Sequence, residues 1–270
     1  QIKVMLNYNK KRFLIYGFGI SGKSSFNYLK KKNCSIKIFD DNFKFKKNSK
    51  KYSISKNEIE KAKFDYIIIS PGINSKKCSI STYLKKNHNK IINELDLFYQ
   101  EYKPNKKITV TGTNGKSTTV KLIYDILKYF KKDVRLLGNI GKSLLNEKNV
   151  NRKTIFIIEA SSYQIDYSKI FVADIAIILN ISHDHLERHK SFKNYANIKF
   201  KLIKNQNSKG IAILNKDTKV IRNLLKKNKI NSKIIKIDRK NDIEFMSKIK
   251  NDVFKNNNNS LNLQFVFEVI

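Results

Sequence analysis

The sequence predicts an α/β protein with parallel sheets, arranged as two successive domains. Two observations lead to this prediction. Short apolar runs typical of buried strands alternate along the chain with segments of helical periodicity, and strands separated by helices imply parallel pairing. In addition, two of the junctions between a predicted strand and the following helix are rich in glycine. A chain of 270 residues is long enough for two domains that each bury a core.

The first domain is predicted over residues 1–103. Its strands are expected at 12–19, 35–41 and 64–70, and its first helix at 21–33. The segment 101–107 contains one of the two prolines of the chain and no apolar run, which makes it the expected linker between the domains.

The second domain is predicted over residues 104–270 and shows the same alternation. Its strands are expected at 107–112, 154–160, 173–182 and 210–215, with a helix at 117–130. Apolar residues recur in that helix at intervals of three and four, which predicts one stripe facing a sheet. These residues are Val120, Ile123, Leu127 and Phe130. A run of asparagines at 256–259 is low in complexity and typical of a loop.

The chain is strongly basic, with a formal net charge of +34 from 56 Lys and Arg against 22 Asp and Glu. Such a charge can indicate nucleic-acid binding through counterion release at clustered cations. Here nearly all of the cations are lysines spread evenly through helices and loops, so no nucleic-acid partner is expected. The charge would still steer polyanionic small molecules such as nucleotides toward the protein.

The two cysteines, Cys34 and Cys78, lie far apart, and no signal-peptide pattern accompanies them, which favours reduced, partly buried thiols. No apolar run approaches the roughly 20 residues of a membrane helix. We therefore expect a cytoplasmic protein that is not inserted in a membrane.

The first glycine-rich junction is an intact Gly-x-Gly-x-x-Gly pattern, formed by Gly17, Gly19 and Gly22 between a predicted strand and helix. Glycines there form a tight turn and let a pyrophosphate approach the N-terminus of the helix. Asp40 and Asp41 follow the next strand, where an acidic side chain can accept a hydrogen bond from a ribose hydroxyl. The pattern indicates a Rossmann-like domain that binds a dinucleotide. A purely structural role, in which the glycines only allow close packing, is the alternative.

The second junction, TGTNGKST at residues 111–118, predicts a P-loop-type phosphate site that departs from the usual pattern. Val110 stands where the P-loop motif has its first glycine. The later residues still suit a phosphate, because backbone N–H groups and the helix dipole attract its oxygens and Lys116 neutralises charge. Ser117 or Thr118 can ligate Mg²⁺. An ordinary Asn-Gly turn is the alternative.

Two further groups of polar residues follow predicted strands of the second domain. Glu159 ends the strand at 154–160, where an acid can hold a metal beside the phosphate loop. His183, His185 and His189 lie together after the next strand, in a spacing that matches no zinc motif. A neutral imidazole could still ligate Mg²⁺ or bond a phosphate or carboxylate. We expect His183 and His189 on the surface.

In combination, these motifs resemble the Mur ligase family. Five segments occur in that family's order: GTNGKST at 112–118, GNIG at 138–141, EASSYQID at 159–166, LNISHDHLERH at 179–189 and YANIKFKLI at 195–203. The glycines of the family's ATP loop begin late relative to the P-loop motif, as they do here. Three further segments resemble its UDP-sugar domain: IFDD at 38–41, SPGIN at 70–74 and INELDLF at 92–98.

The resemblance implies an ATP-dependent ligase. The SSYQ segment after Glu159 is similar to that of the family members that add D-glutamate to UDP-N-acetylmuramoyl-L-alanine during peptidoglycan precursor synthesis, on which cell shape and division depend. The resemblance further implies ATP and two Mg²⁺ ions as cofactors. It also implies the sugar nucleotide and D-glutamate as small-molecule partners, and a monomeric protein. The family's third, C-terminal domain, which receives the amino acid, is expected to be absent from this chain.

In the first domain, the resemblance assigns the glycine loop to the UDP of the muramoyl substrate and not to NAD. The expected substrate-binding residues there are Gly19, Ile20, Ser21, Asp40, Asp41, Ser70, Pro71 and Gly72.

In the second domain, the resemblance implies three groups of residues around the loop. The expected ATP-binding residues are Gly112, Thr113, Asn114, Gly115, Lys116, Ser117, Thr118 and Asn259. The expected metal ligands are Ser117, Glu159, His185 and Lys199, and the expected substrate contacts are Asn139, Ser161 and His185. The expected catalytic residues are Lys116, His185 and Lys199.

Two of these implied positions differ from ordinary binding residues. In the family, the lysine at the place of Lys199 carries a carbamate formed with CO₂, which turns an amine into a carboxylate-like metal ligand. Asn259 lies in NNSLN at 258–262, a diverged form of the family's His-Asn-x-x-Asn with Asn258 in the place of the histidine.

Three alternatives remain open from the sequence. The chain could be another Mur ligase subtype, an NAD-dependent oxidoreductase built on the loop from Gly17 to Gly22, or a non-catalytic protein that binds nucleotides or associates with nucleic acid. The oxidoreductase alternative leaves the loop at 112–118, Glu159 and the segment 185–199 unexplained.

Overall fold

The strands and helices alternate along the chain, and the chain divides into two units. The structure, a computed structural model, describes residues 5–42, 47–215, 218–237 and 257–270. The first unit comprises 1–103 together with the short segments 143–148 and 167–171. The second comprises 104–142, 149–166 and 172–270.

Within the described residues, the first unit contains a four-stranded parallel sheet with the strand order β2-β1-β3-β4. The strands are β1 (Lys11–Tyr16), β2 (Cys34–Phe39), β3 (Tyr66–Ile69) and β4 (Ile91–Ile92). The α-helices are α1 (Ile20–Leu29), α2 (Lys47–Lys50), α3 (Lys56–Lys61), α4 (Ser81–Lys86) and α5 (Glu94–Glu101), and one 3₁₀ turn covers His88–Lys90.

The second unit contains, in the part of the chain that the structure describes, a six-stranded parallel sheet with the order β10-β9-β8-β5-β7-β6. The strands are β5 (Lys106–Thr111), β6 (Val134–Gly138), β7 (Ile155–Glu159), β8 (Ile175–Ile178), β9 (Ile211–Asn215) and β10 (Lys233–Ile237). The helices are α6 (Lys116–Tyr129), α7 (Ser162–Tyr167), α8 (Leu186–His189), α9 (Phe192–Lys204), α10 (Lys219–Lys227) and α11 (Asn257–Phe267).

The prediction of an α/β fold with parallel sheets is therefore confirmed. Most strands are shorter than predicted, because the apolar runs in the sequence continue into the turns that follow the strands. The run at 12–19, for example, includes Gly17, whose φ of +89° takes the backbone out of the extended conformation.

Helix α6 covers the sheet of the second unit with the predicted apolar stripe, but the stripe is one residue shorter than expected. Val120 and Ile123 are fully buried in the core and Leu127 is nearly so. Phe130 follows the last helical residue and is 56% exposed. The prediction was wrong at Phe130 because the helix ends before its side chain can reach the sheet.

The asparagine run, predicted as a loop, in part forms the start of a helix. Helix α11 begins at Asn257 and continues to Phe267. Its apolar residues Leu261, Phe265 and Val266 join the core that α6 and the sheet form. Burial of this face stabilises helical structure in a segment whose asparagines have low intrinsic helix propensity.

A buried carboxylate holds the segment 167–171 in the first unit. Asp96, on α5, is fully buried. It accepts hydrogen bonds from the Ser168 hydroxyl at 2.8 Å and from the backbone N–H groups of Lys169, Ile170 and Phe171 at 2.8–3.1 Å. Burial raises the pKa of this carboxyl, and the donated hydrogen bonds oppose that effect.

Both cysteines are free and half-buried, as the sequence suggested. Among the described residues, no helix combines the length and the apolar character needed to span a lipid bilayer.

Replacement of Asp96 tests how much its buried carboxylate contributes to stability. We expect Asp96→Ala to lower the free energy of unfolding by about 3 kcal/mol, because each buried donor left without an acceptor costs about 1–3 kcal/mol. Urea denaturation followed by circular dichroism measures this change. Asp125→Ala, which removes an exposed carboxylate paired with Lys121 on α6, is the control and should change stability by no more than about 0.5 kcal/mol. Equal effects of the two variants would contradict the assignment.

Candidate functional site

The loop at 112–118 lies at the carboxyl edge of the second sheet, beside its central strand. β5 pairs with β7 on one side and with β8 on the other. The chain leaves β5 toward β6 at one edge and later returns to β8 on the opposite side of β5. Such a reversal of strand order opens a crevice at the carboxyl ends of the strands, which is where parallel α/β sheets bind ligands.

Gly115 makes the turn from this loop into α6. It is the N-cap residue of the helix and has φ = +82°, a left-handed conformation that glycine adopts at little cost. A Cβ at this position would also lie 2.8 Å from the side chain of Asn262 on α11. The N-cap residue, a glycine, donates no side-chain cap to the first turn of α6, so the N–H groups of that turn and the positive end of the helix dipole are available to an anion.

Lys116 folds back over the loop. Its Nζ donates to the carbonyl oxygens of Gly112 at 2.9 Å and Thr113 at 2.7 Å. Burial lowers the pKa of the Lys116 amine, while the negative charges of Glu159 and Asp184 oppose the shift. The side chain is therefore held at the loop by neutral carbonyl acceptors.

A chain of hydrogen bonds connects three of the predicted residues. The Ser117 hydroxyl donates to Oε2 of Glu159 at 2.8 Å, and the Asn139 amide donates to Oε1 at 3.0 Å. Glu159 is 1% exposed at the end of β7, so its carboxylate is fixed from both sides. Ser117 and Thr118, the two candidate hydroxyl residues, are both exposed, and it is Ser117 that bonds Glu159.

Lys199 reaches the same loop from α9. Its side chain is nearly completely buried, with Nζ 2.8 Å from the Gly112 carbonyl oxygen and 4.7 Å from the centre of the Tyr195 ring. Burial, together with the positive charge of Lys116, lowers the pKa of the Lys199 amine to about 7. Both effects favour the unprotonated, nucleophilic form of this amine relative to an exposed lysine.

The three histidines occupy different environments. His185 begins α8 with φ = +52°, is 42% exposed at its side chain, and has Nε2 3.3 Å from Asp184 and its ring beside Tyr163. His183 is exposed, as predicted, and stacks on Phe192 at 4.2 Å.

His189 corrects the sequence prediction. It was expected on the surface, but it is 1% exposed. Its Nε2 lies 2.9 Å from the Ser162 hydroxyl, its ring stacks on Tyr163, and burial lowers its pKa. The prediction was wrong because the spacing of polar residues in 179–189 does not reveal that the short α8 turns one of its histidines into the core.

Two other predicted residues lie at the starts of helices. Ser161 bonds Gln164 Oε1 through both its N–H and its hydroxyl, at the start of α7. Asn259 lies in the first turn of α11, and its side chain is outside the described residues.

The group at the loop suits a hard cation next to a phosphate. Ser117 and Glu159 present oxygen atoms 2.8 Å apart, and Mg²⁺ prefers oxygen ligands. Among the described residues, no three or more His, Cys, Asp or Glu side chains form a metal-binding group by themselves. Lys199 would supply an oxygen ligand only after chemical modification of its amine.

The glycine loop of the first unit follows β1. A Cβ on Gly22 would lie 1.9 Å from the carbonyl oxygen of Gly17, so the pattern of glycines allows this backbone approach. The Ser70 hydroxyl, at the end of β3, donates to the same carbonyl oxygen at 2.8 Å. Two of the predicted residues at the start of α1, Gly19 and Ile20, are exposed.

The two acidic residues after β2 are bonded to protein groups. Asp40 accepts the backbone N–H of Phe18 at 2.6 Å and that of Asn42 at 2.9 Å. Asp41 accepts the hydroxyl of the buried Tyr16 at 2.5 Å and that of Ser79. Their carboxylates therefore shape the surroundings of the loop, in addition to any hydrogen bond they could accept from a ribose.

The remaining predicted residues of this unit lie around the same loop. Ser21 is half-buried within α1 and Pro71 is half-buried after Ser70, whereas Gly72 is exposed with open space where a Cβ would be.

Sequence reasoning missed Asn180, Tyr195 and Asn262 as individual residues. All three lie within segments that the motif comparison used, but only their contacts with the loop single them out. Asn180 bonds the backbone of Thr113 and Asn114, Tyr195 lies under the Lys199 amine, and Asn262 lies against Gly115. An asparagine directly after a buried strand was the available signal for Asn180.

Comparison with known proteins gives a family match over the second unit. The model of the Mur ligase middle domain matches residues 110–268. Curated relatives named UDP-N-acetylmuramoylalanine--D-glutamate ligase include those of Rickettsia bellii, 36% identical over 217 residues, and Caldicellulosiruptor bescii, 34% identical over 221 residues. These matches cover 78% and 76% of this chain but 47% of each relative. The chain thus spans about half the length of these relatives.

A solved structure supports the fold. The UDP-N-acetylmuramate:L-alanyl-gamma-D-glutamyl-meso-diaminopimelate ligase from Neisseria meningitides superposes with a TM-score of 0.52 at 15% identity, covering 84% of this chain and 78% of that one. At this level of identity, the likeness concerns the fold alone.

The turn at Gly115 can be tested by adding a methyl group. We expect Gly115→Ala to lower the free energy of unfolding by about 1–2 kcal/mol, because a left-handed conformation costs a non-glycine residue about that much. Contact of the new Cβ with Asn262 adds to the cost. Urea denaturation measures the difference. Gly19→Ala is the matched control: Gly19 is also an N-cap residue, but its φ is −74° and a Cβ would meet open space. A neutral Gly115→Ala variant would show that the turn is not strained.

Proposed function

This chain belongs to the Mur ligase family, and we propose that it forms the sugar-nucleotide and ATP sites of a ligase that joins D-glutamate to UDP-N-acetylmuramoyl-L-alanine. The observation that carries the proposal is the group around the loop 112–118. There Lys116 and Ser117 lie at the N-terminus of α6. Ser117 donates to the buried Glu159, and Lys116 and the buried Lys199 both donate to the Gly112 carbonyl. The D-glutamate ligases among the curated relatives support the choice of amino acid.

We assign the two nucleotide sites to two domains. Residues 1–103 form a Rossmann-like domain for the UDP-sugar, and residues 104–270 form the P-loop-type domain for ATP. A pyrophosphate at the start of α1 would meet the N–H groups of Gly19, Ile20 and Ser21, since no side chain caps that helix and its first turn carries no acid. Asp40, Asp41 and the turn Ser70–Gly72 would surround the rest of the nucleotide.

ATP would bind with its phosphates at the start of α6. The backbone of Thr113, Asn114 and Gly115 forms the turn, and the N–H groups that follow it, to Thr118, would face the phosphate oxygens. Lys116 would exchange a carbonyl partner for the β- and γ-phosphates and neutralise their charge. Asn259, at the start of α11, would approach the nucleoside.

Ser117 and Glu159 would hold a magnesium ion of the ATP site. The Ser117 hydroxyl and the Glu159 carboxylate are joined by a hydrogen bond. A bound ion would take the place of this bond. His185 and a carbamate on Lys199 complete the ligands that we propose. The ions would stabilise negative charge on the transferring phosphoryl group.

The carbamate follows from the chemistry of Lys199. An unprotonated primary amine attacks CO₂, the new N–C bond forms, and one proton is released to solvent, which leaves an N-carboxylate. Burial of Lys199 and the neighbouring Lys116 favour the unprotonated amine that this reaction requires.

The ligase reaction that these residues would serve has two steps. The L-alanyl carboxylate of the sugar nucleotide takes the γ-phosphoryl group of ATP, which gives an acyl phosphate and ADP. The amine of D-glutamate then attacks the acyl carbon, and phosphate leaves as the amide forms. Asn139, Ser161 and His185 would orient the acceptor carboxylate. The protein supplies position and charge and no covalent nucleophile.

In this role, the protein would act in the cytoplasm as a monomer on small molecules. It would serve peptidoglycan precursor synthesis, and through it cell shape and division, without a nucleic-acid partner or membrane insertion.

The sugar-nucleotide site is tested by calorimetric titration of this chain with UDP-N-acetylmuramoyl-L-alanine, with NADH as the comparison ligand. We expect saturable binding of the sugar nucleotide alone. Gly22→Ala should abolish it, because the added Cβ would collide with the Gly17 carbonyl. Lys116→Ala is the control: it should retain sugar-nucleotide binding and lose ATP binding. Binding of NADH in place of the sugar nucleotide would favour an oxidoreductase and refute the proposal.

The carbamate is tested by ¹³C NMR of the protein with ¹³C-bicarbonate. We expect a carbamate signal that increases between pH 6 and pH 8, because the fraction of unprotonated Lys199 increases as pH rises through its pKa of about 7. The signal should vanish in Lys199→Met. It should persist in Lys201→Met, which removes a lysine of the same helix that bonds the carbonyls of Ile165 and Asp166. A signal that survives Lys199→Met would place the modification elsewhere.

A further inference from the structure

The side chain of Asn180 holds the backbone of the loop at three successive peptide groups. Its Oδ1 accepts the N–H of Thr113 at 3.0 Å and the N–H of Asn114 at 2.9 Å. Its Nδ2 donates to the carbonyl oxygen of Asn114 at 3.0 Å. The backbone carbonyl of Asn180 adds a contact to the Thr113 N–H at 3.1 Å.

These hydrogen bonds require both an acceptor and a donor on one short, planar group. A carboxamide provides both, whereas a carboxylate provides acceptors only and a hydroxyl carries a single oxygen. Asn180 lies two residues after the end of β8, and β8 is the neighbour of β5, from which the loop emerges. The parallel pairing of these strands therefore delivers the amide to the loop.

The opposite sides of the first two of these peptide groups bind the lysines. A trans peptide is planar, and its N–H and C=O point in opposite directions. The Gly112–Thr113 peptide presents its N–H to Asn180 and its C=O to both Lys116, at 2.9 Å, and Lys199, at 2.8 Å. The Thr113–Asn114 peptide presents its N–H to Asn180 and its C=O to Lys116, at 2.7 Å.

We propose that Asn180 is a positioning residue that fixes Lys116 and Lys199 through these two peptide planes. Rotation of either plane would carry away a carbonyl to which a lysine is bonded. Asn180 thus sets the location of both amines without contact with either one, and it holds the loop in this form before a ligand arrives. The proposed catalytic value of that arrangement rests on the ATP site proposed above, but the mechanical coupling does not.

The coupling has two direct readouts in the free protein. The first is hydrogen exchange of the Thr113 and Asn114 amides, measured by ¹H–¹⁵N NMR. The second is the rate at which acetic anhydride labels Lys116 and Lys199, measured by mass spectrometry relative to the exposed Lys121. In Asn180→Ala we expect the Asn114 amide, which loses its acceptor, to exchange at least about tenfold faster. The increase at Thr113 should be smaller, because its N–H keeps the backbone carbonyl of Asn180, and labelling of both lysines should increase several-fold.

Two variants separate positioning from general loss of structure. Asn180→Asp retains an acceptor for both N–H groups, so exchange at the two amides should stay within about threefold of wild type. Asn228→Ala removes a comparable amide, which donates to the Leu224 carbonyl at 2.8 Å at the end of α10, and should leave both readouts unchanged. Unchanged exchange in Asn180→Ala would overturn the proposal. Faster exchange without a change in lysine labelling would overturn it as well, and so would equal loss of protection in Asn180→Asp.

Titration with ADP connects the coupling to the proposed function. If the wild-type chain binds ADP, Asn180→Ala should weaken binding by about tenfold or more, since small displacements of positioned groups have large effects. Unchanged ADP affinity together with displaced lysines would overturn a positioning role. A wild-type chain that does not bind ADP would count against the proposed ATP site, and the exchange and labelling results would then decide the coupling by themselves.

Discussion

The parallel pairing of β5 with β7 and β8 is the constraint on which the candidate site depends. Val110 is in register with Glu159, and Thr111 is in register with Ile178. Because parallel strands end at the same edge of a sheet, the residues that follow these three strands meet there. The loop at 112–118, the Glu159 carboxylate and the Asn180 amide come from separate parts of the chain. The hydrogen-bond ladder of the sheet brings them into contact.

The two units hold their glycine loops in similar ways. In the first, Asp40 accepts the Phe18 N–H and Ser70 donates to the Gly17 carbonyl, so the loop is held from the ends of both neighbouring strands. In the second, Asn180 does both tasks with a neutral amide. A carboxylate in that place would add negative charge where an anionic ligand is proposed to bind. The two loops differ in this respect, because Asp40 places a carboxylate beside the loop of the first unit.

The loop holds two lysine side chains close to one carbonyl group. Lys116 and Lys199 donate to the same Gly112 carbonyl, and Lys199 is almost completely buried. Two cations bonded to one carbonyl repel each other in surroundings that solvate them poorly. Burial and this repulsion lower the pKa of the Lys199 amine. The core of the sheet and helices α6 and α9 supply the stability that allows this unfavourable proximity to persist at the edge.

The sequence by itself determined the α/β class, the parallel strands and the two glycine loops, because apolar periodicity and glycine turns are local properties. It also indicated Lys116, Ser117 and Glu159 through their positions at strand ends. Tertiary structure alone decided that His189 is buried, that Phe130 is exposed, that the asparagine run begins a helix, and that Asn180 holds the loop. These outcomes depend on which distant segments meet, and that is set by strand order and packing rather than by neighbours along the chain.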